Sequence, residues 1–109
     1  MRSARRGIQV SKKLGESEIQ AALSGLPTWR LEHGELVQVV TLKDFKEAMK
    51  FVTDVADLAE VAGHHPDIDI RYNKVRLGLV THDAGGITSS DISLAGDIDK
   101  KSQKKPLQD

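Results

Sequence analysis

The stretch Asp67-Ile68-Asp69-Ile70-Arg71-Tyr72-Asn73-Lys74-Val75-Arg76-Leu77-Gly78-Leu79-Val80 consists of two alternating runs around a short break. Ile68, Ile70 and Tyr72 alternate with acids and an arginine, and Val75, Leu77 and Leu79 alternate with Arg76, Gly78 and Val80. A period of two gathers apolar side chains on one face of a strand. Two such runs around an Asn-led, two-residue break predict a β-hairpin. With Asn73-Lys74 as the turn, Tyr72 faces Val75 and Ile70 faces Leu77. The same register carried outward sets His65 opposite His82, unless a bulge near Pro66 shifts it by one residue.

Upstream the period changes. Phe45, Ala48, Met49, Val52, Ala56, Ala59 and Ala62 recur at helical spacing, with Lys46, Glu47, Lys50, Asp54 and Asp57 between them. This predicts one long amphipathic helix from Asp44 to a stop at Gly63. Trp29 to Leu31 and Leu36 to Leu42 read as strands around Glu32-His33-Gly34, with Leu36, Gln38, Val40 and Leu42 in one phase. Ser17 reads as the cap of a short helix through Leu23, ended by Gly25 and Pro27. Thr88-Ser89-Ser90-Asp91 matches a capping box opening a last helix, with Ile92, Ala95 and Ile98 on its buried side. The order α-β-β-α-β-β-α predicts an α+β fold, a four-stranded antiparallel sheet with helices packed on one face.

At 109 residues, with 39% hydrophobic and 29% charged, the chain has room for one core. It can bury roughly two thirds of its unfolded surface, so an active site would be a shallow cleft or be completed by another subunit. There is no cysteine, which excludes disulfides, a thiol nucleophile and thiolate metal sites. No apolar run approaches the ~18 residues of a membrane span, so a soluble, cytoplasmic chain is expected.

The formal charge is zero, but residues 1–13 hold five bases and no acid, while residues 14–96 hold seven bases and thirteen acids. An acidic body between basic ends does not match a nucleic-acid-binding face. The expected layout is a basic tail over 1–13, a single domain over 14–101 and a tail over 102–109. An Arg-rich, acid-free start is also the composition of a transit peptide, although this one is short and weakly amphipathic.

The chemistry-bearing residues collect at one sheet edge. His64 and His65 lie where the long helix hands over to the hairpin, and His82 lies at the end of its second strand. Glu60 sits one helical turn before His64, and Asp91, after the Gly85-Gly86 turn, can fold back towards the strand end. Imidazole populates both protonation states near neutral pH, so clustered histidines with orienting carboxylates can supply an acid and a base to one substrate. A single histidine at a strand end is ordinarily a polar surface residue, and His33 is read so. Glu60 and Asp91 taken alone are ordinary helix-surface and helix-cap residues. Three histidines and a carboxylate can also hold zinc, but adjacent side chains on a strand diverge, so metal-free proton transfer ranks first. The Asp83-Ala84-Gly85-Gly86 turn lacks the lysine and glycine spacing of a phosphate loop.

Glu60, His64-His65-Pro66, Tyr72, His82 and Asp91 stand at the spacings of a known signature, and the chain resembles the pterin-4a-carbinolamine dehydratases. This family is also known as dimerization cofactors of a homeodomain transcription factor. The flanks agree at Tyr72-Asn73-Lys74-Val75, Thr81-His82 and Gly86-Ile87-Thr88, with weaker similarity from Gly15 to Lys100.

The resemblance implies the α+β fold and dehydration of 4a-hydroxytetrahydropterin to quinonoid dihydropterin, without metal or cofactor. It implies that His64, His65 and His82 are catalytic, with Glu60 and Asp91 as supporting carboxylates. The residues beside the pterin would be His64, His65, Pro66, Thr81, His82, Asp83 and Ala84. Which histidine is acid and which is base stays open. The resemblance further implies a homodimer joined edge to edge, and in some members a tetramer. The alternative is a non-catalytic binding module, a transcriptional coactivator or enzyme assembly factor. Three positions depart from the family pattern: Ile68 replaces a frequent tryptophan, and Val40 and Leu42 replace frequent phenylalanines.

Overall fold

The computed structural model describes residues 12–104. The tail expected over 1–13 therefore lies outside the described residues except for Lys12 and Lys13. Among the described residues, three α-helices and four strands follow the order α1 (Glu16–Leu23), β1 (Arg30–Glu32), β2 (Glu35–Thr41), α2 (Phe45–Ala62), β3 (Asp67–Arg71), β4 (Lys74–Leu79) and α3 (Ser89–Lys104). A single 3-10 turn, His82–Ala84, separates β4 from α3. The sheet is antiparallel in the order β1-β2-β4-β3, the α+β architecture expected from the periodicities.

The helix ends follow local chemistry. Asp44 accepts the Glu47 amide at 2.9 Å and so caps α2. At the far end Gly63 turns left-handed (φ 65°), and the His64 amide returns to the Ala59 carbonyl at 3.2 Å. This is a Schellman closure, which glycine adopts without a Cβ penalty. The cap of α1 is Gly15 rather than Ser17: the Glu18 side chain accepts the Gly15 amide at 2.7 Å, which sets the helix start at Glu16.

The core is a layer between one sheet face and the helices. Leu36, Val75, Leu77 and Leu79 from the sheet meet Ala48, Phe51, Val55 and Ala59 of α2 and Leu94, Ala95 and Ile98 of α3. Each fully buried leucine or isoleucine contributes roughly 1.5–3 kcal/mol relative to an exposed one. The buried stripe of α2 is rotated from the expected one. Phe51 and Val55 are inside, whereas Phe45 is 50% and Met49 37% exposed, because both the sheet and α3 pack on the Phe51 side. On β2, Leu36 and Gln38 face the core, Val37 is buried on the opposite face, and Val39 on that face is 45% exposed.

The hairpin register also differs from expectation. Ile70 pairs with Val75 and Ile68 with Leu77, so the two-residue turn is Tyr72-Asn73, not Asn73-Lys74. Tyr72 takes the left-handed conformation (φ 56°). The Asn73 side chain donates to the Leu42 carbonyl at 2.9 Å, and the Leu42 amide donates to the Asn73 carbonyl at 2.8 Å. Asn73 is thus clamped to the end of β2, and the turn forms one residue earlier. The shift slides the strands by two residues and leaves every side chain on its expected face.

Candidate active site

The β3–β4 ladder ends at the pair Asp67 and Gly78, so His65 and His82 do not face each other as strand partners. Two irregular segments bring them together instead. Gly63 to Pro66 lies outside regular structure, which lets His64 and His65 border the same hollow although they are adjacent in sequence. His82 opens the 3-10 turn in a loop closed by the Thr81 and Gly86 bridge, with the Thr81 amide donating to the Gly86 carbonyl at 3.0 Å. Gly63, His64, His65, Val80, Thr81, His82 and Asp83 line an open cleft of about 270 Å³. Pro66 and Ala84 do not line it.

Two of the three imidazoles are held by carboxylates. His64 Nε2 lies 2.6 Å from Asp91 Oδ1, with Asp91 buried and His64 mostly so. His65 Nε2 lies 2.7 Å from Glu60 Oε2, and this pair is open to solvent. Glu60, placed by helical spacing one turn before His64, therefore serves the next residue. The His82 side chain is exposed, and its imidazole makes no hydrogen bond or ion pair among the described residues.

Asp91 is more deeply anchored than its neighbours. Its Oδ2 accepts the Thr88 amide at 2.9 Å and the Thr81 hydroxyl at 2.8 Å. The Thr88 hydroxyl, fully buried, meets Thr81 Oγ1 at 2.8 Å and accepts the Ser90 amide at 3.2 Å. Thr88-x-x-Asp91 thus closes the helix start as a capping box does, and the same carboxylate reaches out to His64. Thr88 belongs to the site, yet its sequence context marks it only as a cap. A threonine and an aspartate three apart, next to a histidine cluster, is the signal that would have found it.

A second hollow of about 560 Å³ adjoins the first across His64, lined by Ala62, His64, Ser89, Ser90, Ser93, Leu94 and Asp97. Among the described residues, no three of His, Asp or Glu stand close enough to share a metal ion.

Known proteins share both the sequence and the fold that carry this cleft. The family profile described as Pterin 4 alpha carbinolamine dehydratase matches residues 12–101. The chain belongs to the pterin 4 alpha carbinolamine dehydratase family. Within that family, a Chloroflexus aurantiacus protein is 57% identical over 88 residues, covering 81% of this chain and 95% of its own. An Acidobacterium capsulatum protein is 56% identical over 87 residues, covering 80% and 95%. Both are provisionally named pterin-4-alpha-carbinolamine dehydratases.

Among solved structures, a transcriptional coactivator/pterin dehydratase from Brucella melitensis superimposes with a TM-score of 0.78 at 33% identity, covering 82% of this chain and 97% of that one. A pterin dehydratase-like protein described as a RuBisCO assembly factor in the alpha-carboxysome shares the fold, with a TM-score of 0.57 at 21% identity over 67% of this chain and 87% of that one. Among the described residues, no helix of this family member is long and apolar enough to cross a membrane.

Proposed function

We propose that this family member dehydrates 4a-hydroxytetrahydropterin to quinonoid dihydropterin, with the reaction carried out in the cleft bordered by His64, His65 and His82. The C4a–O bond breaks as a proton reaches the departing hydroxyl, which leaves as water. The N5 hydrogen goes to a base, and its electron pair forms the N5=C4a double bond. Imidazoles are suited to both transfers near neutral pH and need no cofactor for them. The observation that carries this reading is the convergence on a single cleft of two carboxylate-held imidazoles and a third that has no partner among the described residues.

Within it, His64, His65 and His82 exchange protons with the substrate, and Asp91 and Glu60 orient the first two. Val80, Thr81 and Asp83 form the walls beside the ring, and the serine-lined hollow across His64 offers hydroxyls to a polar ring substituent. The functional unit is the domain over 14–101, and a cytoplasmic setting is part of the same proposal. The test is stimulated dehydration of the carbinolamine by the purified protein. Turnover that falls in His65→Ala and His82→Ala supports the assignment, and an unchanged rate in both removes it.

Homo-oligomerisation belongs to this reading. Strand β1 covers only the Glu35 to Val37 part of β2, which leaves the β1-side edge of residues 38–41 without a strand partner among the described residues. An uncovered edge beside a half-exposed valine is a pairing surface for a second copy. Sedimentation as a monomer at micromolar concentration would contradict it.

A second reading, a binding module, draws on the exposed Phe45 and Met49 of α2. One stoichiometric protein partner together with no turnover would favour it.

A further inference from the structure

The hydrogen bonds behind His64 have a direction that can be worked out proton by proton. A threonine hydroxyl carries one proton and can accept through its lone pairs. Thr81 Oγ1 donates to Asp91 Oδ2 at 2.8 Å, since an ionised carboxylate can only accept. With that proton committed, the 2.8 Å contact between Thr81 Oγ1 and Thr88 Oγ1 must run from Thr88 to Thr81. Thr88 Oγ1 in turn accepts the Ser90 amide at 3.2 Å. The carboxylate, which can only accept, therefore sets the polarity of the pair from Thr88 through Thr81 to Asp91, and the Ser90 amide fills a lone pair of Thr88 without opposing it.

The consequence reaches the imidazole. Asp91 Oδ2 already receives the Thr81 hydroxyl and the Thr88 amide, which fixes the plane of the buried carboxylate and turns Oδ1 to His64. At 2.6 Å from an acceptor, His64 Nε2 is the nitrogen that carries the proton. We infer that Thr81 and Thr88 are positioning residues that hold His64 as its Nε2–H tautomer, leaving Nδ1 as the nitrogen that takes up and releases the substrate's proton. The tautomer stands on the hydrogen bonds alone, and only the final clause rests on the dehydratase reading. Thr81, which the resemblance places beside the pterin, has its hydroxyl proton turned inward.

The experiment is nitrogen-15 NMR of the full chain with labelled histidine, recorded at rising pH until the ring signals stop changing, so that the neutral ring is the form observed. The expected spectrum shows a protonated Nε2 and an unprotonated Nδ1 on His64. Thr81→Val should turn this into a mixture of tautomers and lower kcat roughly tenfold, the usual weight of a hydrogen bond to a charged group. Thr81→Ser should restore both. A protonated Nδ1 in the unsubstituted protein, or a single-tautomer spectrum kept by Thr81→Val, overturns the inference. If Thr81→Val does not fold, the spectrum of the unsubstituted protein still decides. A protein with the expected spectrum but no carbinolamine turnover would lose the dehydratase reading and keep the tautomer.

Discussion

His64 Nε2 and Asp91 Oδ1 meet at 2.6 Å across 27 positions of sequence, tying the exit of α2 to the entry of α3. The contact does more than orient an imidazole, because Asp91 simultaneously closes the first turn of α3 through Thr88. One buried carboxylate thus serves both folding and site geometry, and substitutions there should separate the two.

Asp91→Asn keeps the shape but turns a donor towards either His64 or the Thr81–Thr88 pair. The expected outcome is a loss of kcat on the order of 100-fold, the upper end for a hydrogen bond to a charged group, with modest loss of stability. Asp91→Ala leaves buried donors unpaired and should also destabilise by roughly 1–3 kcal/mol. Steady-state kinetics and urea unfolding measure the two effects.

Glu60 and His65 form the open counterpart, with side chains 76% and 61% exposed. Water screens such a pair, so Glu60→Gln should change stability by no more than about 0.5 kcal/mol. Its effect on kcat should be visible but smaller than that of Asp91→Asn. Equal losses at the two carboxylates would show that burial does not set their rank.

Two glycines should respond to alanine with opposite signs. Gly63 holds φ at 65° where the chain leaves α2 for His64, so Gly63→Ala should cost about 1 kcal/mol and raise KM. Gly96 sits inside α3 with open space where an alanine methyl would project, so Gly96→Ala should stabilise by roughly 0.5–1 kcal/mol without touching turnover. Thermal unfolding of the pair checks both signs.

Glu32, on the outer face of the sheet, is held below the usual carboxylate range, chiefly by the hydrogen bond from Arg76 at 3.0 Å. A lowered folded-state pKa adds stability above the unfolded-state value, and that stability is lost as pH falls through the folded one. Glu32→Gln should therefore be slightly less stable than the parent at about pH 7, and the gap should be narrower at about pH 3. Urea midpoints at both pH values test this, and a gap that widens in acid would refute it.

Much of the site was legible because its residues sit at element boundaries that short-range chemistry defines. Gly63 had to end α2, so His64 and His65 had to follow in a connection, and Thr88-Ser89-Ser90-Asp91 had to begin a helix. Which carboxylate meets which imidazole was not legible. Helical spacing set Glu60 one turn before His64, yet the turn at Gly63 sends His64 inward to Asp91 and leaves Glu60 to His65. The role of Thr88 was hidden for the same reason, since a cap and a relay use the same residue types.

The chain's periodicities determined the kinds and order of its elements, because a period of two or of 3.6 is a local property of backbone geometry. Only the tertiary structure decided the rest. A two-residue slip in the β3–β4 hairpin keeps every side chain on its face, so alternation cannot detect it, and the choice fell to Asn73 binding the end of β2. The buried side of α2 was decided likewise, because its apolar residues cover more than one stripe and the packing of α3 and the sheet selected Phe51 and Val55 over Phe45 and Met49. Local sequence sets what each segment can bury, and contacts between distant segments set which of those options is used.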